Sequence, residues 1–120
     1  MVGKYFHEAE WECHCGCGQN EVHQELVDMM DALRAHVGKP VIVHCVNRCV
    51  RHNHNVGGHP NSYHIEGKAC DFHVKGMSNR ELHRICLELY DANEIITGGW
   101  GQYSWGAHID IANKRYWRGY

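Results

Sequence analysis

No stretch of the chain approaches the roughly 18–20 consecutive apolar residues of a membrane-spanning helix, and nothing in the text predicts one. There is no excess of charge either: 12 Lys and Arg stand against 14 Asp and Glu, a formal net charge of −2. Nucleic acid and anionic membrane therefore have no electrostatic claim as partners. The opening MVGKYFHEAEWEC lacks the basic-then-apolar layout of a secretory signal. The expectation is a chain made in the cytoplasm that meets any outside target only after release, as on lysis. Internal repeats, linkers and low-complexity tracts are missing as well. The cysteine count is odd, seven, which argues against a complete disulfide framework and for thiols or metal ligands.

What the chain does have is histidine, 12 in 120 residues. That length carries one core and one domain, taken as residues 1–120. Most of the histidines are expected on the surface, so spacing must pick out any that do chemistry.

In chain order, Tyr5, Phe6 and Trp11 can anchor an otherwise aperiodic start. Val22, Leu26, Met29, Met30, Leu33 and Val37 recur at three and four residues, predicting a helix from Glu21, capped by Asn20 and ended by Gly38. Val41-Ile-Val43 reads as a strand, and residues 45–60 as a long functional loop hinged at Gly57-Gly58. Between Lys68 and Val74 the residues alternate, putting Cys70, Phe72 and Val74 on one face and Asp71 and His73 on the other. Ser78-Asn-Arg-Glu81 is a capping box for a helix that buries Leu82, Ile85, Cys86 and Leu89. Residues 94–97 are expected as a strand, 98–101 as a turn, 107–112 as a strand with His108 and Asp110 on one face, and 115–117 as a last short strand. The fold expected is α+β: a small, mostly antiparallel sheet with helices packed on one face.

The densest stretch is Ser62-Tyr-His64-Ile-Glu-Gly67-Lys-Ala69-Cys-Asp71. A His and an Asp at this separation cannot share a helical turn, but a loop folded back over the Asp71 strand brings them together. His108 on a neighbouring strand completes a His2Asp set, which suits zinc with an open fourth position. The same side chains can also hydrogen-bond one another with no metal.

Together with Gly38-Lys-Pro-Val-Ile-Val43, Arg48, His52-Asn53, Val56-Gly-Gly58 and the late His108-Ile-Asp110, this motif resembles the zinc D-Ala-D-Ala carboxypeptidase and endopeptidase family of bacterial and phage cell-wall enzymes. Its fold is shared with the Hedgehog signalling domain. The resemblance implies His64, Asp71 and His108 as zinc ligands, Arg48 as holder of a substrate carbonyl or carboxylate, and Ser62 as a loop-steadying or substrate-touching hydroxyl. It implies a peptidoglycan peptide as substrate and a monomer that hydrolyses it through a zinc-activated water.

Two departures stand out. The family's usual Ser-Gly-Tyr-Arg is here Cys45-Val46-Asn47-Arg48, and β-branched Val46 cannot replace a glycine at positive φ. Three residues before the last ligand, where relatives place an acidic general base, stands Trp105. Asp110 is the substitute base expected, with Glu66 second; Asp110 can equally orient His108. The rival reading is a zinc-holding binding module without turnover. The turn Cys13-His-Cys15-Gly-Cys17, with Cys45 or Cys49, is open to three fates: a second structural ion, a disulfide to Cys49, or free thiols.

Overall fold

The computed structural model describes residues 4–18, 22–58, 62–64 and 66–119. After a 3-10 turn at Glu8–Trp11, helix α1 spans Gln24–Val37, strand β1 Val41–Cys45, short helix α2 Val50–Asn55, strand β2 Ala69–Val74 and helix α3 Asn79–Asp91. Strands β3 (Gly99–Tyr103), β4 (Gly106–Asp110) and β5 (Arg115–Arg118) close the chain. The sheet order is β1-β2-β4-β3-β5. Pairing is antiparallel except between β3 and β5, which run parallel. The sheet is thus mixed rather than mostly antiparallel. The parallel pair arises because the chain leaves β4, crosses β3 and returns alongside it.

One face of the sheet is dry. Cys70, Phe72 and Val74 of β2, Ala107 and Ile109 of β4 and Trp100 of β3 join Leu26, Val27, Met30 and Leu33 of α1 and Leu82, Cys86 and Leu89 of α3 in one core. Helix α3 lies across β2, β4 and β3. Its Ser78 Oγ accepts the Glu81 N–H at 3.2 Å, the cap that the sequence signalled. At the end of α1, Gly38 adopts φ +67°, a left-handed conformation that a side chain would strain.

Several expectations are corrected. Helix α1 starts at Gln24 behind His23, and Asn20, the expected cap, lies outside the described residues. The expected loop of residues 45–60 contains α2, whose VRHNHN sequence has no apolar period and buries Asn53 alone. Residues 94–97 form no strand: Asn93 and Ile95 take φ +55° and +57°, incompatible with an extended ladder. Residues 98–101 are no turn, because Gly99–Tyr103 is β3, a central strand.

Candidate active site

On the face opposite the core, a single register row crosses all five strands. Cys45 pairs with Asp71, Asp71 with His108, His108 with Gly101 and Gly101 with Trp117. Alternation along β2 and β4 turns Asp71 and His108 to this face while their neighbours fill the core. The glycines of β3 make room there. A Cβ on Gly101 would run into the Trp117 indole, and one on Gly99 into Arg115 and the Asp110 carboxylate. The side chains of β5 therefore lean across β3 to the site, and the His108 and Trp117 ring centroids lie 5.1 Å apart.

His64 arrives from the loop ahead of β2. Its backbone N–H donates to Ser62 Oγ at 3.2 Å, and its carbonyl accepts the Arg48 N–H at 3.1 Å. Its Nδ1 lies 3.1 Å from the Val46 carbonyl. A carbonyl only accepts, so Nδ1 carries the hydrogen and Nε2 is left to face Asp71 Oδ2 at 3.3 Å. His108 is arranged the other way round. Its Nε2 contacts Asp110 Oδ2 at 2.9 Å and its Nδ1 contacts Asp71 Oδ1 at 2.7 Å.

Asp110 has no accessible surface, and its oxygens are saturated. Oδ1 accepts from Gly99 N (3.0 Å), Ala112 N (3.0 Å) and Arg115 Nη1 (3.1 Å). Oδ2 accepts from Arg115 Nη2 (2.8 Å) and His108 Nε2. Burial would raise its pKa, but the hydrogen bonds from His108 and Arg115 prevail and hold it well below the carboxylate range. No lone pair remains to collect a proton from a water in the cleft. Glu66, the second candidate base, is exposed beside Lys68 at 3.4 Å and does not line the cleft.

The same opposition governs the other groups. Burial works against charge on His64, yet its bonds to Asp71 and the Cys45 thiol push its pKa up to about 9. Burial likewise opposes charge on His108, and Asp110 and Asp71 raise it. Burial would raise Asp71, but the two imidazoles hold it well below its usual range.

These groups sit at the bottom of a cleft of about 630 Å³. Arg48 lines it, with Nη1 donating to Asn53 Oδ1 at 2.8 Å and Nη2 to Cys45 Sγ at 3.7 Å. Gly58 packs against this pair, leaving no space for a Cβ. Val46 is fully buried in the core, and Asn47 Nδ2 donates to the Trp11 carbonyl at 2.7 Å. The departure at positions 45–47 therefore anchors the arginine loop to the core. Tyr103 and Trp105 stack at 4.8 Å, and Trp117 Nε1 donates to Tyr103 Oη at 2.8 Å, forming an aromatic wall of the same cleft.

The donor set fits a metal. Ligand atoms of His64, Asp71 and His108 lie within 4.8 Å of one another. Two imidazoles and a carboxylate suit a borderline divalent cation. The second nitrogen of each histidine is already held, one by a carbonyl and one by a carboxylate, which fixes tautomer and ring plane. Both imidazoles turn a nitrogen towards the Asp71 carboxylate, the place where a cation would sit between them.

A family model described as Peptidase M15 matches residues 4–110. The chain belongs to the Peptidase M15 family. No curated protein and no solved structure gives a significant match. The M15 match covers all three candidate ligands, Arg48, Ser62 and Asp110, and ends before β5. Two cleft residues of this M15 peptidase, Arg115 and Trp117, thus lie beyond the matched segment and were missed in the sequence. An arginine opening the strand five residues after Asp110 was their one signal.

Outside the cleft, a second candidate metal group brings together Cys13, Cys15, Cys17 and Cys49. Of the three fates open to this turn, the disulfide to Cys49 is not formed: all seven cysteines are free.

Proposed function

We propose that this M15 peptidase is a zinc enzyme that hydrolyses peptide bonds of bacterial peptidoglycan, of the D,D-carboxypeptidase or endopeptidase type. The observation that carries the proposal is the convergence of His64, Asp71 and His108 on the floor of a cleft that Arg48 also lines. Bound zinc supplies Lewis-acid polarisation of a scissile carbonyl and a water acidified to a pKa of about 7.

The chain's own residues do the rest. His64 offers Nε2 because Val46 holds Nδ1, and His108 offers Nδ1 because Asp110 holds Nε2. Arg48, steadied by Asn53, presents a fork suited to a substrate carboxylate or carbonyl oxygen. Ser62 steadies the His64 turn. Tyr103, Trp105 and Trp117 line the cleft and would flank a bound peptide, keeping water off its sides. Asp110 acts as the positioning residue for His108 rather than as a base, because its oxygens have no capacity left. In this reading the chain acts as a monomer and reaches the wall after release, as on lysis.

One observation favours the second reading, a metal-holding module that binds wall peptides without cutting them. Among the described residues, Asp71 is the one carboxylate lining the cleft, and it is a candidate ligand.

Purified peptidoglycan separates the two. Release of new amino groups that stops on chelation and returns with zinc supports the peptidase. Cleavage that survives metal removal contradicts it, whereas zinc-dependent sedimentation with peptidoglycan and no released amine establishes the binding module.

A further inference from the structure

We propose that Cys13, Cys15, Cys17 and Cys49 form a second metal site, a tetrathiolate zinc centre that fastens the N-terminal segment to the start of α2. It rests on none of the peptidase reading.

The four sulfur atoms lie within 4.8 Å of one another. Cys13 Sγ and Cys15 Sγ are 3.5 Å apart, and Cys15 Sγ and Cys49 Sγ 3.6 Å. Four sulfurs placed tetrahedrally about zinc at ~2.3 Å stand about 3.8 Å from each other. A disulfide needs about 2.05 Å. The observed separations are those of ligands around a common centre.

Backbone N–H groups point at these sulfurs. Cys49 N donates to Cys13 Sγ at 3.3 Å, and His52 N donates to Cys49 Sγ at 3.4 Å. Such bonds fix the direction in which these two sulfurs present their lone pairs. Gly16 and Gly18 adopt φ +84° and +85°, which curls residues 13–18 so that three thiols gather on one side. Loading exchanges the thiol protons for one divalent ion and leaves a negative centre. Arg51 and His52 line the adjoining hollow, and the Arg51 guanidinium offsets that charge.

The fold also needs such a tie. Residues 14–18 are all exposed, so apolar burial does not hold this turn in place, although its sulfurs meet one from 34 residues away. Cys49 directly follows Arg48. A metal on these thiols therefore braces the loop that presents the arginine, alongside the Asn47 bond to Trp11.

Zinc content read by mass spectrometry tests the proposal, with cobalt as a spectroscopic probe. Wild-type chain, purified reduced and loaded with zinc, is expected to hold two equivalents. The double variant His64→Ala/His108→Ala is expected to keep one. Adding Cys15→Ser and Cys49→Ser removes it. Loaded with cobalt, the histidine variant is expected to show thiolate-to-metal charge transfer in the near ultraviolet, with tetrahedral d–d bands in the red. Wild-type protein is expected to show the same charge-transfer band, so the test holds even where a cysteine variant does not fold. A histidine variant that folds but holds no metal would overturn the proposal. So would a folded wild-type chain whose four thiols all react freely with a disulfide reagent in the presence of zinc.

Discussion

Arg115 and Asp110 exert their control on His108 through one ion pair with unequal sides, since the carboxylate is fully buried and the guanidinium 37% exposed. Removing each should fail differently. Asp110→Asn keeps the shape but weakens the hold on His108 Nε2, and a loss of roughly 10–100-fold in zinc affinity is expected, read by chelator competition. Arg115→Gln strands a buried carboxylate and should cost about 3 kcal/mol of stability in denaturant unfolding, the low end of the usual range because the arginine is partly solvated. At Arg48, Lys keeps the charge but loses the fork to Asn53 and substrate. Losing a charge-assisted hydrogen bond of about 1.5–3 kcal/mol predicts a 10–100-fold drop in kcat/KM for Arg48→Lys, mostly through KM. The shared face of Asp71 and His108 was readable because a strand's alternation fixes which residues point the same way. Arg115 was not, because its partnership with Asp110 exists only once the chain has turned from β4 into β5. Val46 stays out of positive φ, as a β-branched residue must, but what it does there was not legible. Its position needs no positive φ; it needs a side chain that fills the core and a carbonyl aimed at His64.

Among the elements, β3 shows where local pattern misleads. Glycines 98, 99 and 101 suggest a turn by composition, yet Gly99 and Gly101 belong to an inner strand, where the β5 side chains Arg115 and Trp117 lie over them. Gly101→Ala is expected to push Trp117 away from His108 and to cost about 1–3 kcal/mol by overpacking. Thermal unfolding checks the cost, and loss of Trp117 fluorescence response to zinc checks the displacement. Helices α1 and α3 were legible because each carries an apolar stripe and a recognisable end. Helix α2 was not, because its purpose is to set Asn53 under Arg48 and Cys49 among the thiols rather than to bury an apolar face. Asn53→Ala should therefore leave zinc content unchanged while raising KM, measured on a soluble muropeptide.

For the whole molecule, stability and metal are linked. A ligand at 100 times its Kd stabilises the folded state by about 2.7 kcal/mol. For this 120-residue chain that raises Tm by roughly 10 °C. Chelation of the wild-type protein should lower Tm by that order, and the variant His64→Ala/His108→Ala should retain the part of the shift that comes from the thiol centre. The mixed sheet gives this linkage its reach. The row from Cys45 through Asp71, His108 and Gly101 to Trp117 spans every strand, and an ion held by Asp71 and His108 would tie two of its inner strands, β2 and β4, to the His64 loop.

The most direct test is the position of zinc itself, from anomalous diffraction at the zinc edge on crystals of the loaded protein. A peak bound by His64 Nε2, an oxygen of Asp71 and His108 Nδ1, with Asp110 still on His108 Nε2, is the predicted result. No peak between these side chains, or one bound through His108 Nε2 or by Asp110, would contradict the account.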